Sequence, residues 1–315
     1  MPDADIWDQY WHFDRIASCF DGAGATNYDE CVAAGWRDYF RTLPHGARIL
    51  DLCTGNGAAA LIAAGVGRAE GKAFEIVAVD QAAIDPPAFV TRHAEDYAAI
   101  RFVPGTDVEA LPFPDAGFDA VISQYGIEYA DRAKAIPELL RMIAPGGSAR
   151  IVVHAADGII AEGSRAIIAE ADLLLDEIDL SGAASRCFEA LWAVEREGRQ
   201  DRGEADAAFA AFQDALVRTA QYVPQARDPA MFKNSGAVLF DTFQRRGHFD
   251  RDQLRAKVGE VETGIRAHRG RLVALVEAAL DEKGAAELAE RLGGSSQPLA
   301  NREELIGYVV EARSP

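Results

Sequence analysis

The chain has 315 residues, of which 49% are hydrophobic and 26% charged. That is the composition of a globular protein and excludes a disordered or fibrous one. Fifty acidic against 32 basic residues leave a net charge of −18, which repels phosphate backbones and anionic membranes. A small-molecule substrate is therefore expected, with no nucleic-acid and no membrane partner. The cluster Arg266, His268, Arg269 and Arg271 reads as a solvated helix face. No apolar run reaches the roughly 18 residues that span a bilayer, and the acidic start lacks the charge pattern of a signal peptide, so the expected location is cytoplasmic. Cys19, Cys31, Cys53 and Cys187 are scattered, without a C-x-x-C pair or a nearby histidine. They read as free thiols, and no metal site is expected.

In chain order, Trp7, Tyr10 and Trp11 recur at helical steps, which predicts an amphipathic first helix. It either packs on the core or covers a ligand. A second helix is predicted over 29–42, ended by Pro44 and Gly46. Residues 47–52 are a short strand, followed by a glycine-rich turn and an apolar helix over 58–66. A second strand spans 74–80, a helix 87–98, a third strand 100–104, despite its terminal proline, and a fourth 118–124. A helix over 131–143 leads through Pro145-Gly-Gly to a fifth strand over 149–154. Strands alternating with helices at this spacing predict right-handed crossovers and a parallel sheet. From 155 helix formers dominate, with helices expected near 158–178, 182–197, 203–222, 228–245, 250–280 and 281–292. Asp250 is placed to cap the fifth of these, and 196–204, with six charges and two glycines, reads as an exposed linker. The end returns to β-rich sequence, and 295–299 can pair with 305–313 as an antiparallel hairpin.

The chemistry concentrates where the first strand ends. Residues 49–57 read ILDLCTGNG. Gly55 and Gly57 allow a sharp turn and a close ligand approach, and the next helix offers free N–H groups. Alone, Gly55-x-Gly57-x-x-Ala60 also fits a dinucleotide fingerprint, with Asp80 on the ribose. Three features point elsewhere. Asp51 lies within the strand, where a carboxylate would repel a pyrophosphate but suits a ligand bearing an amine and a sulfonium. Asp107 follows the third strand within GTDVEALPFP. The fourth strand, FDAVISQY, leads to a helix and then to LRMIAPGG.

Taken in order, these motifs resemble the class I S-adenosylmethionine-dependent methyltransferases, nearest to the branch of ubiquinone and menaquinone biosynthesis. The resemblance covers about residues 10–154 and the last twenty or so, and the stretch 13–21 also looks like the segment before the first strand in many members. It implies a Rossmann-like, doubly wound α/β fold. The sheet would be mostly parallel and seven-stranded, with a C-terminal antiparallel hairpin and a large helical insertion after strand five. The implied domains are a helical segment 1–46, the cofactor-binding core 47–154, the insertion 155–280 (a substrate cap or a homodimer interface) and the closing elements 281–315. It implies S-adenosyl-L-methionine as cofactor. Asp51, Cys53, Thr54, Gly55, Asn56 and Gly57 would surround its methionine half, and Asp80 would accept from both ribose hydroxyls. Gln81 would lie beside the adenine, Asp107 and Val108 would hold it, and Ser123, Gln124 and Tyr125 would line the methyl side. The family usually has glycine where Cys53 stands.

The expected activity is O- or C-methylation of a small molecule by in-line displacement. The base is expected to be His154, which closes the fifth strand, first and His12, on the first helix, second, with Tyr125 or Glu128 orienting the acceptor. After the fourth strand, Ser123-Gln-Tyr-Gly replaces the Asn/Asp-Pro-Pro element of nucleic-acid amine methylation. A non-catalytic binder of the cofactor, acting as an assembly partner through its helical insertion, is the alternative.

Overall fold

A computed structural model describes residues 4–17, 27–28 and 30–314. Cys19, Asp29 and residues 18–21 of the 13–21 stretch lie outside the described residues. Helix α1 (Ala4–Trp11) and helix α2 (Glu30–Thr42) precede the sheet. Then follow β1 (Arg48–Leu52), α3 (Ala58–Glu70), β2 (Glu75–Val79), α4 (Pro86–Phe89), α5 (Ala94–Tyr97) and β3 (Ile100–Val103). After them come β4 (Phe118–Gln124), α6 (Arg132–Met142) and β5 (Ile143–His154). The helices α7 (Ile159–Asp172), α8 (Leu180–Glu195), α9 (Gly203–Tyr222), α10 (Pro229–Gln244), α11 (Arg251–Ala278) and α12 (Glu282–Leu292) lead to β6 (Ser295–Asn301) and β7 (Glu304–Arg313).

The seven strands form one sheet in the order β3-β2-β1-β4-β5-β7-β6. The first five pair in parallel, β7 runs antiparallel to β5, and β6 antiparallel to β7. This is the expected fold class. Alternate residues of each strand feed opposite faces, as the two-residue period of a strand requires. Ile49, Ile76, Ile122 and Val152 join α2 and α3 on one side, around Trp36 and Phe40. Leu50, Val79, Val121 and Ile151 join α6 and α12 on the other, around Leu139 and Leu288. Strand order reverses between β1 and β4, and the crevice beyond their carboxyl ends is where such sheets bind ligands.

The chain divides into two compact units, residues 1–162 with 274–315, and residues 163–273. The second has its own core of Phe188, Phe212, Phe232, Leu239, Leu254 and Ile265. Asp250 begins α11 with a reciprocal cap: Gln253 N–H donates to Asp250 Oδ1 at 2.8 Å, and Asp250 N–H to Gln253 Oε1 at 2.9 Å. The first unit closes on itself across the excursion. Leu280 N–H donates to the His154 carbonyl and Ala156 N–H to the Leu280 carbonyl, at 2.9 and 2.8 Å.

Two elements differ from expectation. β5 starts at Ile143, so Pro145-Gly-Gly, expected as a turn before the strand, lies within it. The helix over 87–98 is two single turns, α4 and α5, parted by extended Val90 and by His93 at φ +60°. Few side chains there are buried, so no continuous apolar stripe sustains one helix.

Candidate functional site

The turn after β1 sets the site. Cys53, Gly55 and Gly57 all have positive φ, at +54°, +53° and +83°. For Cys53 this is a strained backbone, of the kind held where the surroundings over-determine it. Strand β4 ends the same way, with Tyr125 at φ +54° and its N–H donating to the Val152 carbonyl at 2.7 Å. Gly126 follows because space demands it: a Cβ there would lie 2.3 Å from that of Cys53. The two turns thus meet, and between them lies a cavity of about 70 Å³. Trp7, Trp11, Cys53, Asp80, Gln81, Val108, Tyr125 and Tyr129 form most of its wall.

Asp80 ends β2 and is held by two amides, Gly55 N–H on Oδ2 at 2.8 Å and Ala82 N–H on Oδ1 at 2.9 Å. Burial raises its carboxyl from 3.8 to about 6, against those amides. Asp51 is fully enclosed in β1 and accepts from the Thr54 hydroxyl at 2.6 Å. Burial pushes it further, to about 7, against the Thr54 and Ala60 donors. The Cys53 thiol rises well above its ordinary value, first by desolvation and then through the negative fields of Asp80, Glu128, Asp51 and Asp107. It is a poor nucleophile in this setting. Among the described residues, no lysine, arginine or histidine lines it. Buried carboxylates with no cation beside them, facing aromatic rings, suit a ligand that brings its own positive charge.

Of the residues expected from sequence, Cys53, Asp80, Gln81, Val108 and Tyr125 line the cavity, and Asp51, Thr54, Gly55 and Gly57 shape the turn beside it. Others face away. Asn56 is fully buried; its Nδ2 donates to the carbonyls of Trp11 at 2.9 Å and Arg15 at 2.7 Å. Ser123 donates to the Leu52 carbonyl at 3.0 Å and accepts the Ile127 N–H at 3.2 Å, tying β4 to β1. Gln124 Oε1 accepts the Trp36 indole N–H in the core of the opposite layer. Asp107 accepts the Glu109 N–H at 2.9 Å in a local turn and is not part of the wall. His12 pairs its Nε2 with the Ala83 carbonyl at 2.9 Å and stacks on Phe89.

His154 is fully enclosed and is not part of the cavity wall. Its ring stacks on Tyr125, centroids 4.1 Å apart. Both its N–H and its Nδ1 meet Glu128 Oε1, at 3.0 and 2.8 Å. The expected base is thus set behind the tyrosine that does face the cavity. Sequence reasoning missed Gly126 and Tyr129, and weighed the rings of α1 as packing before cover. The short run Tyr125-Gly-Ile-Glu-Tyr129 is the signal that could have found the first two.

Among the described residues, none of the helices is long and apolar enough to cross a membrane. Residues 49–147 match the model of a methyltransferase domain. The chain is 46% identical over 110 residues to a demethylmenaquinone methyltransferase of Thermus thermophilus, covering 34% of this chain and 46% of that protein. It is 33% identical over 147 residues to a 2-phytyl-1,4-naphtoquinone methyltransferase of Thermosynechococcus vestitus, covering 44% and 61%. The chain thus spans about half the length of these curated relatives. Among solved structures, the YcgJ protein of Bacillus aligns at a TM-score of 0.35 and 16% identity, over 90% of this chain and 98% of that one.

Proposed function

We propose that this chain, whose residues 49–147 are a methyltransferase domain, is an S-adenosylmethionine-dependent methyltransferase that methylates a small, uncharged aromatic acceptor of the quinol type. The observation that carries the reading is the pairing of that domain with a strand-end cavity walled by Asp80 and four aromatic rings and free of cationic side chains. The cofactor supplies an electrophilic methyl group on a positively charged sulfur.

The chain's own residues do the rest. Asp80, its oxygens each fixed by one amide, keeps lone pairs for the two ribose hydroxyls. Asp51 and the rings of Trp7, Trp11 and Tyr129 would offset the positive charge, and Val108 would offer an apolar wall to the base. A carbon or oxygen of the acceptor would take the methyl group as the carbon–sulfur bond breaks, with the thioether as leaving group, and the acceptor's proton would have to leave. Alignment of the two partners supplies roughly 7–11 kcal/mol of the barrier reduction. Tyr125 is the group at the wall that orients the acceptor or relays its proton, and His154, clamped by Glu128, positions it from behind. The names of the two relatives, which give a demethylmenaquinone and a naphthoquinone as what they methylate, support an acceptor of that type.

Calorimetric titration with S-adenosylmethionine and S-adenosylhomocysteine, with NAD as control, tests the cofactor. Turnover of a demethylated naphthoquinol tests the acceptor. Binding of NAD in place of either sulfur ligand would overturn the reading. Binding without turnover of any quinol would leave a cofactor-binding assembly protein.

A further inference from the structure

The cavity of about 70 Å³ is far below the roughly 300–1,000 Å³ of sites that hold molecules the size of a nucleoside. What narrows it is α1. The Trp11 ring lies directly on the Gly55 turn, and a Cβ on Gly55 would fall 2.4 Å from it. Trp7 stacks beside Trp11, centroids 6.4 Å apart, and meets Tyr129 edge-on at 5.6 Å. The helix has eight residues, fewer than the roughly 12–15 a helix needs to persist alone. Polar contacts among the described residues help to keep its place. Asn56 Nδ2 grips the Trp11 and Arg15 carbonyls, the Asp8 carboxylate accepts the Ala83 N–H at 2.7 Å, and His12 meets the Ala83 carbonyl. The apolar cluster beneath is small: Trp11, Ala82 and Ile84, with Trp7, Tyr10 and Phe102 around them.

We propose that α1 is a latched lid over the cofactor cleft: Asn56 and Asp8 hold it shut, and the ligand enters only when it lifts. Trp7 and Trp11 are then the surface that closes over the ligand. Asn56, which stands in the glycine-rich turn as if to touch the cofactor, instead holds the lid. The proposal rests on reading the cleft as an adenosyl-cofactor site, and two measurements separate the two ideas.

The first needs no ligand. Hydrogen exchange of the α1 amides is compared in the wild type, Asp8→Ala and Asn56→Ala, with global stability checked by urea. Exchange at least tenfold faster in α1, with the β1 and β4 amides unchanged, is expected; unchanged α1 exchange overturns the latch. The second is stopped-flow tryptophan fluorescence with S-adenosylhomocysteine on the double variant D8C/A83C. Oxidised, with the 8–83 link confirmed by peptide mass, it should associate at least tenfold more slowly than when reduced, and dithiothreitol should restore the rate. Equal rates in the two states overturn the lid. Failure of the wild type to bind S-adenosylhomocysteine in calorimetry would overturn the cofactor reading instead, with hydrogen exchange still deciding the latch.

Discussion

The strand ends of the first unit and the helices of the second hold particular acidic side chains differently. In residues 163–273 Glu189 is met by Arg251 and Arg255 at 2.6 Å each and Asp172 by Arg269 at 2.5 Å, while the buried Glu170 accepts the Arg227 and Asp228 N–H groups. Those arginines hold the Glu189 carboxyl below its usual range. Around the strand ends of the first unit, Asp51 and Asp80 are buried with hydroxyl and amide donors but no cation, and their carboxyls are raised. A buried charge without a partner is unfavourable. The helical unit is arranged for its own stability, whereas the strand ends carry an electrostatic debt that a cationic ligand would settle.

The comparison can be broken at four points. The largest effect should come from the helical core. Phe212 is fully enclosed among aromatic neighbours, and Phe212→Ala should lower stability by about 3–5 kcal/mol in urea titration. Next, Asp80→Ala should weaken S-adenosylmethionine binding by about 100-fold, because charge-assisted hydrogen bonds contribute roughly 1.5–3 kcal/mol each. The same change should leave the apo chain no less stable at pH 8. A destabilised apo variant would show that Asp80 serves the fold.

The third effect is pH dependence. A carboxyl raised from 3.8 to about 6 (Asp80) or about 7 (Asp51) is more readily protonated folded than unfolded. Its stabilising contribution is therefore complete below about pH 4 and is lost as pH rises through 6 to 7. Cofactor affinity should run the other way, since the ionised forms bind. The Kd for S-adenosylmethionine should tighten about tenfold between pH 5 and 8, and Asp51→Asn should flatten the upper part of the profile. A flat wild-type profile would mean that neither carboxylate meets the ligand's charge. The smallest effect is Arg255→Ala, whose guanidinium is half-exposed. It should leave the urea midpoint almost unchanged, with no change in cofactor affinity.

Strand and helix periods made the sheet order's raw material and the helices of 163–273 readable in advance. The glycine-rich turn, Asp80 and Tyr125 were legible because their places at strand ends follow from the fold. What was not legible is where each neighbouring side chain turns. Ser123 and Gln124 are adjacent on β4, so they leave it on opposite faces, and long-range partners (the Leu52 carbonyl and the Trp36 indole) claim them. Asn56 likewise is claimed by carbonyls more than forty residues away in sequence. Such bonds have no local signature. Nor does the approach of Trp7 and Trp11 to the strand ends, since their spacing shows a helix face without showing what it meets. His154 was found by its position at the end of β5, but its depth behind Tyr125 depends on the crossing β7 and on Glu128.

The join at Leu280 bears on how the chain is made. β5 gains its outer neighbour only from β7, so the edge of β5 stays open until residues beyond Glu304 leave the ribosome. Pairings so distant in sequence form slowly, and an open strand edge invites association in the meantime. The entropy of closing the intervening loop grows only logarithmically with its length. A helical unit built from local contacts can compact first and shorten the span that remains. On this view residues 163–273 also act during biogenesis, as a spacer that folds early and brings β7 within reach of β5.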